Sequence, residues 1–536
     1  MIRIRDIPLP FDHEPDALAK AAANKLGVSL EELGPIRLVR KSIDARKKHR
    51  ILAVYCVDVE TADEQQVLKR CAGDPHIAAA PQTSFRVPHF STSDGRPPVI
   101  VGAGPCGLFA ALLLAQAGAK PILIERGKEV KARLRDVQTF WRDGILNPES
   151  NVPFGEGGAG TFSDGKLTTQ IKDKHHRVQK ILLELVAAGA PEEILYDARP
   201  HIGSDRLVTV VKTLRNKILS LGGQVRFETK LTDIVVRDGR IVGVIVNDGE
   251  VIDTMTLILA PGHSARDTFE MLLGRGVCME AKPFSIGVRI EHPQSLIDQT
   301  QYGRFAGHPQ LGAADYKLVH HARSGRSAYT FCMCPGGQVI AASSEPGGIV
   351  TNGMSRYARS EANANSALLV GVTPADFGAS GPLAGIAFQR QWEQKAFVLG
   401  GGGYVAPAQR VEDFLAGRPS LTMGRVAASY RPAVKPADVS ACLPDFVAIT
   451  LREAILEMDK KLKGFAFPDA VLTAVESRSS CPLRMVRDES LQSLSIKGLY
   501  PAGEGAGYAG GIISAAVDGL KAAEAICKNV SQTYGS

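Results

Sequence analysis

The distribution of apolar and polar residues predicts a strand–helix–strand unit near residue 100. The apolar run Val99–Val101 leads into a glycine-rich turn and then into a nearly continuous apolar stretch that reaches Ala117. A second short apolar run ends at Glu125. Short apolar runs bounded by glycine are typical of strands buried on both faces, as in parallel sheets. We therefore predict a β–α–β unit over residues 98–125.

Two other patterns predict sheet structure. Asp238-Gly239 and Asp248-Gly249 separate alternating apolar runs, which is a strong hairpin signal. They predict a β-meander over residues 225–227, 231–236 and 241–246, with a return from residue 250 and a buried strand at 256–259. Before residue 95, the pattern predicts strand 2–7, helix 14–26, strands 36–42 and 50–59, helix 62–71 and a last strand. This βαββαβ order is that of a ferredoxin-like domain.

The turn after the first apolar run has the dinucleotide-binding spacing of glycines. Gly102 allows the strand-to-helix turn, Gly104 lets the backbone approach a pyrophosphate, and Gly107 lets the helix pack close to the sheet. A helix N-terminus at this point favours an anion because its N–H groups are unpaired and its dipole is positive. Glu125 ends the next strand, where a carboxylate accepts hydrogen bonds from a ribose diol.

Near the C-terminus, residues 498–505 lead through Gly510-Gly511-Ile512 into a helix that ends near Cys527. The order of fingerprint, meander, closing strand and this last element resembles the glutathione-reductase-2 type of FAD flavoproteins. The strings at residues 154–166 and 503–511 are similar to those of a bacterial family of FAD-dependent dehydrogenases. The resemblance covers most of the chain after residue 97 and implies a discontinuous Rossmann-like FAD-binding domain with a β-meander.

The resemblance also implies roles for single residues. Glu504 stands where the family usually has aspartate and would bond the ribityl hydroxyls, and the helix after Gly511 would face the pyrimidine end of the flavin. Ala260-Pro261-Gly262 departs from the usual Ala-Thr-Gly. Fingerprint and resemblance together predict these cofactor-binding residues: Gly102, Gly104, Pro105, Cys106, Gly107, Glu125, Arg126, Gly160, Thr161, Lys166, Ala260, Gly262, Gly503, Glu504, Gly510, Gly511 and Ile512.

Length and composition refine this division. A chain of 536 residues is too long for one core. The turn-rich segment 91–98 marks a boundary. We predict an α/β and α+β architecture: a ferredoxin-like domain (1–95), an FAD-binding domain (97–280 and 490–536) and an inserted mixed α/β substrate domain (281–489). Nine cysteines without framework spacing, no signal-peptide core and no apolar run long enough to span a bilayer favour a cytoplasmic protein. No His/Cys spacing predicts a metal site.

Candidate catalytic groups are Lys166, Arg478 and Arg484. A lysine near the flavin N1 and C2 carbonyl would stabilise the anionic reduced ring, but Lys166 is equally well interpreted as a surface lysine. The guanidinium groups of Arg478 and Arg484, with Arg487, either clamp a substrate carboxylate or phosphate or bridge two domains. His263 is a candidate acid–base group, although a lone histidine is more often a loop residue.

Cys332-Met333-Cys334 lies in an apolar strand, where alternate side chains share one face. One interpretation is a thiol pair that exchanges electrons with the flavin. The favoured interpretation is buried structural cysteine, because redox pairs usually have CxxC spacing at a helix start. The glycine run 400–403 lacks the flanking strand and acid of a second nucleotide fold, so it is predicted to be a turn that lines the active site. NADH or NADPH would then bind only transiently over the flavin.

Basic residues cluster on the predicted hairpin at residues 37–50, namely Arg37, Arg40, Lys41, Arg46, Lys47, Lys48 and Arg50. The preferred interpretation is a solvated edge protected from aggregation, in a domain separate from the flavin site. The alternative is a contact with nucleic acid or another anionic partner, although the net charge of +7 does not indicate extensive nucleic-acid binding. The leading hypothesis is an FAD-dependent oxidoreductase that acts on a small or medium-sized anionic organic substrate by hydride transfer at the flavin. The alternatives are an RNA- or protein-binding flavoprotein with structural or sensory FAD, and an RNA-modifying flavoenzyme.

Overall fold

The computed structural model describes residues 1–82, 84–90 and 95–533, with side chains as far as residue 528. Residues 91–94 of the predicted linker lie outside this part. The N-terminal region forms six elements in β–α–β–β–α–β order: β1 (Ile2–Pro10), α1 (Ala17–Leu26), β2 (Leu33–Asp44), β3 (Leu52–Thr61), α2 (Glu64–Arg70) and β4 (Ile77–Ala79). The strands pair in the antiparallel order β2-β3-β1-β4. Alternate apolar residues of β1 and β3 form its core together with α1.

The second region contains the predicted strand–helix–strand unit and the meander. Its elements are β5 (Val99–Val101), α3 (Pro105–Gln116), β6 (Ile122–Ile124), α4 (Val130–Asp143), α5 (Arg177–Ala187), α6 (Ser204–Ser220), β7 (Gln224–Arg226), β8 (Leu231–Arg237), β9 (Arg240–Val246), β10 (Glu250–Asp253), β11 (Leu257–Leu259), α7 (Arg266–Gly274) and β12 (Met279–Ala281). A short 3₁₀ helix covers Gly158–Phe162.

The third region is dominated by long strands. Its elements are β13 (Phe284–Pro293), α8 (Gln294–Tyr302), β14 (Val319–His321), β15 (Ser327–Ala341), β16 (Thr351–Met354), β17 (Asn363–Val372), α9 (Ala384–Gly400), β18 (Ala406–Arg410), α10 (Val411–Leu415), β19 (Val434–Pro436), α11 (Asp445–Lys461), β20 (Val471–Glu476) and β21 (Leu483–Met485). The chain ends with β22 (Leu499–Pro501) and α12 (Ile512–Thr533).

The sheets give a mixed α/β architecture. Five short strands form a parallel sheet in the order β22-β11-β5-β6-β7, so the last strand of the chain returns beside the first strand of the fingerprint unit. Helices α3 and α12 share one core against this sheet. The meander β8–β10 is antiparallel. An eight-stranded sheet, β14-β15-β17-β13-β20-β18-β19 with β16 paired to β15, is antiparallel except between β18 and β19.

The N-terminal sheet packs against both other regions. The backbone of Lys41 on β2 exchanges hydrogen bonds with a loop of the second region: its N–H donates to the Tyr196 carbonyl at 2.7 Å and its carbonyl accepts from the Ala198 N–H at 2.8 Å. Phe11 packs edge-on against Phe305 at 5.2 Å between ring centres. The N-terminal domain thus contacts both other regions, and these contacts fix the position of its β2–β3 hairpin.

Neither a membrane span nor a metal cluster is found in the described part of the chain. None of the described helices combines the length and the apolar character needed to cross a membrane. Among the same residues, no three His, Cys, Asp or Glu side chains are grouped so as to hold a metal ion.

Candidate flavin-binding site

One large cavity collects most of the predicted site residues. Its volume is about 2310 Å³, and all three regions of the fold line it. The fingerprint turn, the 3₁₀ helix, the loop after β11 and the start of α12 form one part of the wall. Residues of β2, β13 and β15 form the opposite parts. The parallel sheet brings these segments together because the loops after β5, β11 and β22 all lie at the carboxyl ends of neighbouring strands.

The fingerprint turn is held by close backbone contacts. Gly102 has φ of 97°, and a Cβ atom there would lie 2.3 Å from the Ala260 carbonyl oxygen. At Gly107, a Cβ atom would lie 1.9 Å from the Gly102 carbonyl oxygen. No side chain fits at either position, so the turn keeps the tight geometry that the sequence predicts. Gly107 does not line the cavity and serves helix packing alone.

Gly104 is different, since the protein itself does not require a glycine there. Its φ of −76° suits any residue, and an added Cβ would meet only the Gly158 Cα, at 3.8 Å. The free space lies at the N-terminus of α3, where Pro105 is the first helical residue. The unpaired N–H groups of this first turn favour an anion. A pyrophosphate therefore fits the position that Gly104 leaves open.

Glu125 lies at the cavity wall with its carboxylate already fixed. It accepts hydrogen bonds from the backbone N–H groups of Ala103 at 2.8 Å, Gly127 at 2.9 Å and Gly155 at 2.9 Å. An ionised carboxylate has about four acceptor positions. Three are used by the backbone, and the fourth is available to a hydroxyl group.

Glu504 and the start of α12 line the same cavity. Burial raises the pKa of Glu504 to about 7, against the opposing charge of Lys282. Gly503 donates its N–H to Asp518 at 2.8 Å, and Asp518 is ion-paired with Arg487 at 2.7 Å. The loop that carries Glu504 is thus anchored to α12. Gly510, Gly511 and Ile512 line the cavity at the helix start.

The remaining predicted cofactor residues divide into two groups. Those that line the cavity are Pro105, Cys106, Arg126, Gly160, Lys166, Ala260, Gly262 and Gly503. Thr161 does not line it: the side chain is buried, and its hydroxyl donates to the Glu156 carbonyl at 3.3 Å. The geometry therefore gives no support to a cofactor contact by Thr161. Arg126 lines the cavity but is held by Glu149 at 2.7 Å and Asp267 at 2.9 Å.

Lys166 is an interior lysine of the cavity wall and not a surface residue. Its ammonium donates to the Met333 carbonyl and lies 3.2 Å from Asp164. Burial opposes its charge, but the interactions with Cys334 and Asp164 raise the pKa of Lys166 above its usual value. Asp164 is itself held by Arg359 at 2.6 Å, a pair that sequence analysis did not find.

Arg478 and Arg484 have very different environments. Arg478 is buried at the cavity wall, where it binds Glu393 of α9, Ser264 of the second region and Ser344 of the third. All its nitrogen groups have partners, so the domain-bridging interpretation fits the geometry better than a substrate clamp. Arg484 does not line the cavity; it pairs with Glu280 at 3.1 Å. A catalytic role for Arg484 is therefore not supported.

The structure also places three further features that the sequence analysis considered. The glycine run 400–403 ends α9 and does not line the cavity, so its predicted place at the active site is wrong. His263 does line the cavity, but burial and the nearby charge of Arg478 lower its pKa to about 4. The basic hairpin is not separate from the site, because Arg40, Lys41 and Arg46 line the same cavity. Their charge is visible in the sequence, but their position depends on how the domain docks.

The comparisons with known proteins agree with this geometry. Residues 97–140 match the family described as FAD binding domain, and residues 283–479 match the family described as FAD-dependent protein, C-terminal domain-like. Residues 1–60 match a domain of unknown function. Fold, cavity and family matches together define an FAD-binding flavoprotein.

The chain belongs to the same family as an uncharacterized protein of Clostridium beijerinckii, with 50% identity over 527 residues and 98% of each chain covered. Protein FixC of Escherichia coli K12 is 28% identical over 223 residues, which are 40% of this chain and 47% of FixC. The chain thus matches about half of FixC. The flavin-dependent brominase Bmp2 is a remote structural relative, with 13% identity, a TM-score of 0.38 and coverage of 81% of this chain and 79% of Bmp2.

Proposed function

We propose that the protein is an FAD-dependent oxidoreductase, a dehydrogenase or reductase, that acts on an anionic organic substrate by hydride transfer at the flavin. The observation that carries the proposal is one cavity in which a nucleotide-binding turn and unpaired cationic side chains face the same space. FAD would supply the two-electron chemistry once bound. The protein would supply binding, orientation and charge.

The FAD site is of the glutathione-reductase-2 type in this proposal. Supporting it are the meander β8–β10, the closing strand β11 and the parallel return strand β22 beside it. The start of α3 would hold the pyrophosphate at Gly104. Glu125 and Glu504, which both line the cavity, would accept hydrogen bonds from the sugar and ribityl hydroxyls. A Glu504 pKa of about 7 means that this group can also donate a proton in a hydrogen bond at neutral pH.

The charge of the remaining wall supports an anionic substrate. Arg40, Lys41 and Lys317 line the cavity, and none of these three side chains forms an ion pair with a described residue. By contrast, Arg126, Arg326 and Arg359 at the same wall are paired with carboxylates. Unpaired cations around a cleft attract an anion and orient it through charge-assisted hydrogen bonds. A carboxylate or phosphate on the substrate would complete these pairs.

Two wall residues have defined protonation states. Lys166 stays charged because its pKa is raised, and its position beside Asp164 and the Met333 carbonyl fixes that charge in the wall. His263 is neutral at pH 7 because its pKa is about 4. It can therefore accept or donate a hydrogen bond in its neutral form, but it is too weak a base to hold a proton at neutral pH. A nicotinamide donor, if used, would enter the same cavity transiently.

Spectroscopy of the purified protein tests the proposal. We expect a yellow protein whose FAD is released on denaturation. Under anaerobic conditions, its absorbance near the flavin maximum should bleach with NADH, NADPH or one of a panel of organic acids and phosphate esters, at a rate of about 1 to 1,000 per second. A protein that takes up no FAD contradicts the cofactor assignment. A protein that holds FAD but is reduced by none of these compounds favours a structural or sensory flavin.

A further inference from the structure

The irregular strand segment Phe331–Cys334 places one thiol at the cavity wall and a second, two residues further on, in the protein interior. Cys332 lines the cavity and is partly exposed, whereas Cys334 is buried. Strand β15 shifts its register against β17 between Phe331 and Cys334, and Cys332 has φ of 45°. A positive φ is uncommon for a residue with a side chain and is often found at functional sites.

The bulge changes what the two thiols can do. In a regular strand, residues two apart lie about 6.6 Å from each other, at the upper limit for a disulfide. Here the Cys334 thiol donates to the Cys332 carbonyl at 3.2 Å. The Cys334 sulfur is therefore turned back towards residue 332 instead of pointing away from it.

Two cations hold this segment in place. Arg289 donates to the Cys332 carbonyl at 3.0 Å, and Lys166 donates to the next carbonyl, that of Met333. Arg289 is buried and bound to Glu476 at 2.6 Å, so it is rigid. The neighbouring Cys334 thiol lowers the pKa of Cys332 against the effect of burial, and the charges of Lys166 and Arg289 lower it further. Cys332 has the electropositive, partly exposed environment that is typical of reactive thiols.

Cys332 and Glu504 line the same cavity. Glu504 belongs to the element proposed to bind the ribityl chain. Cys332 and the proposed flavin position thus share one space.

We propose that Cys332 and Cys334 form a redox-active dithiol/disulfide pair that exchanges electrons with FAD in this cavity. The inference rests on the proposed function, because bound FAD is the electron acceptor. In the net reaction, one S–S bond forms between the Cys332 thiolate and the Cys334 thiol, the Cys334 S–H bond breaks, and two electrons and one proton are released. Oxidised FAD would accept the two electrons, and the proton would pass to the reduced flavin or to solvent. The reverse reaction restores the two thiols.

An anaerobic dithionite titration of the FAD-loaded protein tests the pair. Air-oxidised wild type should consume about twice as many electrons per bound FAD as Cys332→Ser or Cys334→Ser, because a disulfide takes up two electrons in addition to those of the flavin. Cys278→Ser is the matched control: Cys278 is exposed and does not line the cavity, so it should titrate as wild type does. Equal electron consumption by all four proteins overturns the proposal.

Peptide mapping gives a second readout that does not depend on activity. In the oxidised protein, the peptide that contains both residues should resist iodoacetamide and weigh two hydrogen atoms less than in the reduced protein. Alkylation of both cysteines before reduction overturns the proposal. The FAD content of the same samples reports on the proposed function separately, so a yellow protein without the disulfide refutes the thiol pair alone.

Discussion

The guanidinium of Arg478 and the carboxylate of Glu393 form a buried two-point ion pair, with Nε–Oε1 at 3.0 Å and Nη2–Oε2 at 2.9 Å. Arg266 binds the same carboxylate at 2.8 Å. Burial alone would raise the pKa of Glu393, but the two arginines outweigh it and hold that pKa well below its usual value. The cluster joins α7, α9 and the segment after β20 at the wall of the cavity.

Arg478→Met should therefore destabilise the protein. Removing one partner of a buried ion pair costs about 3–5 kcal/mol because the remaining charges lose their compensation. Arg484→Met is the control: Arg484 pairs with Glu280 near the surface, and such a pair contributes about 1 kcal/mol or less. Urea unfolding of both variants measures the difference. Similar midpoints for the two would show that the Arg478 cluster does not stabilise the fold.

Gly104→Val should abolish FAD retention. An added Cβ would meet only the Gly158 Cα, at 3.8 Å, so folding should be kept while the side chain excludes the pyrophosphate. Gly73→Val is a matched control, since an added Cβ at Gly73 meets no atom within 4 Å and Gly73 does not line the cavity. Flavin absorbance after gel filtration measures retention. A yellow Gly104→Val protein would show that the fingerprint turn does not hold the cofactor.

Removing the unpaired cations of the cavity wall should weaken anion binding. We expect the double variant Arg40→Ala/Lys41→Ala to bind tripolyphosphate, used as a probe, about tenfold more weakly, which corresponds to roughly 1.4 kcal/mol. The difference should shrink in high salt because the interaction is electrostatic. Quenching of flavin fluorescence measures the Kd. Lys47→Ala/Lys48→Ala removes the same charge from the same hairpin outside the cavity and should bind as wild type; an equal loss there would indicate a general charge effect.

Glu504→Gln should change how stability depends on pH. The folded pKa of about 7 lies above the ordinary value of 4.5, so the folded protein retains a proton that the unfolded chain loses between these pH values. The contribution of Glu504 is thus most favourable below pH 4.5 and is lost as pH rises towards 7. The total change in the free energy of unfolding is about 3 kcal/mol at most. Urea unfolding of wild type and variant between pH 4.5 and 7 measures this change in the free energy of unfolding. If the two proteins show the same pH dependence, the raised pKa of Glu504 is contradicted.

The basic hairpin at residues 37–50 provides a test of the nucleic-acid alternative. Arg37 is held by Asp58 at 2.6 Å and Arg46 by Asp44 at 2.6 Å, so fewer cations remain for phosphates than the sequence suggests. We expect no measurable binding to single-stranded RNA at moderate salt. Binding with a log–log salt slope of about −0.7 per contacted phosphate, lost in Arg46→Ala/Lys47→Ala/Lys48→Ala, would instead support an RNA-modifying flavoenzyme.

Local sequence pattern determined much of this protein. The strand–helix–strand unit at β5–β6, the meander β8–β10 and the βαββαβ order before residue 80 all follow from apolar periodicity and turn residues. Each of these signals depends on neighbours within a few positions. The glycine spacing of the fingerprint is also readable from the sequence, because no side chain fits at Gly102 or Gly107.

Tertiary structure alone decided which charged residues reach the cavity. Arg478 and Arg484 are six positions apart, yet one lies buried beside Glu393 and the other pairs with Glu280 outside the cavity. Arg40 and Lys41 reach the cavity only because β2 docks against the loop at Tyr196. The partners in these cases are separated by tens to hundreds of residues. The sequence pattern shows which face of a helix or strand is apolar. Which other element packs against its charged face depends on long-range packing.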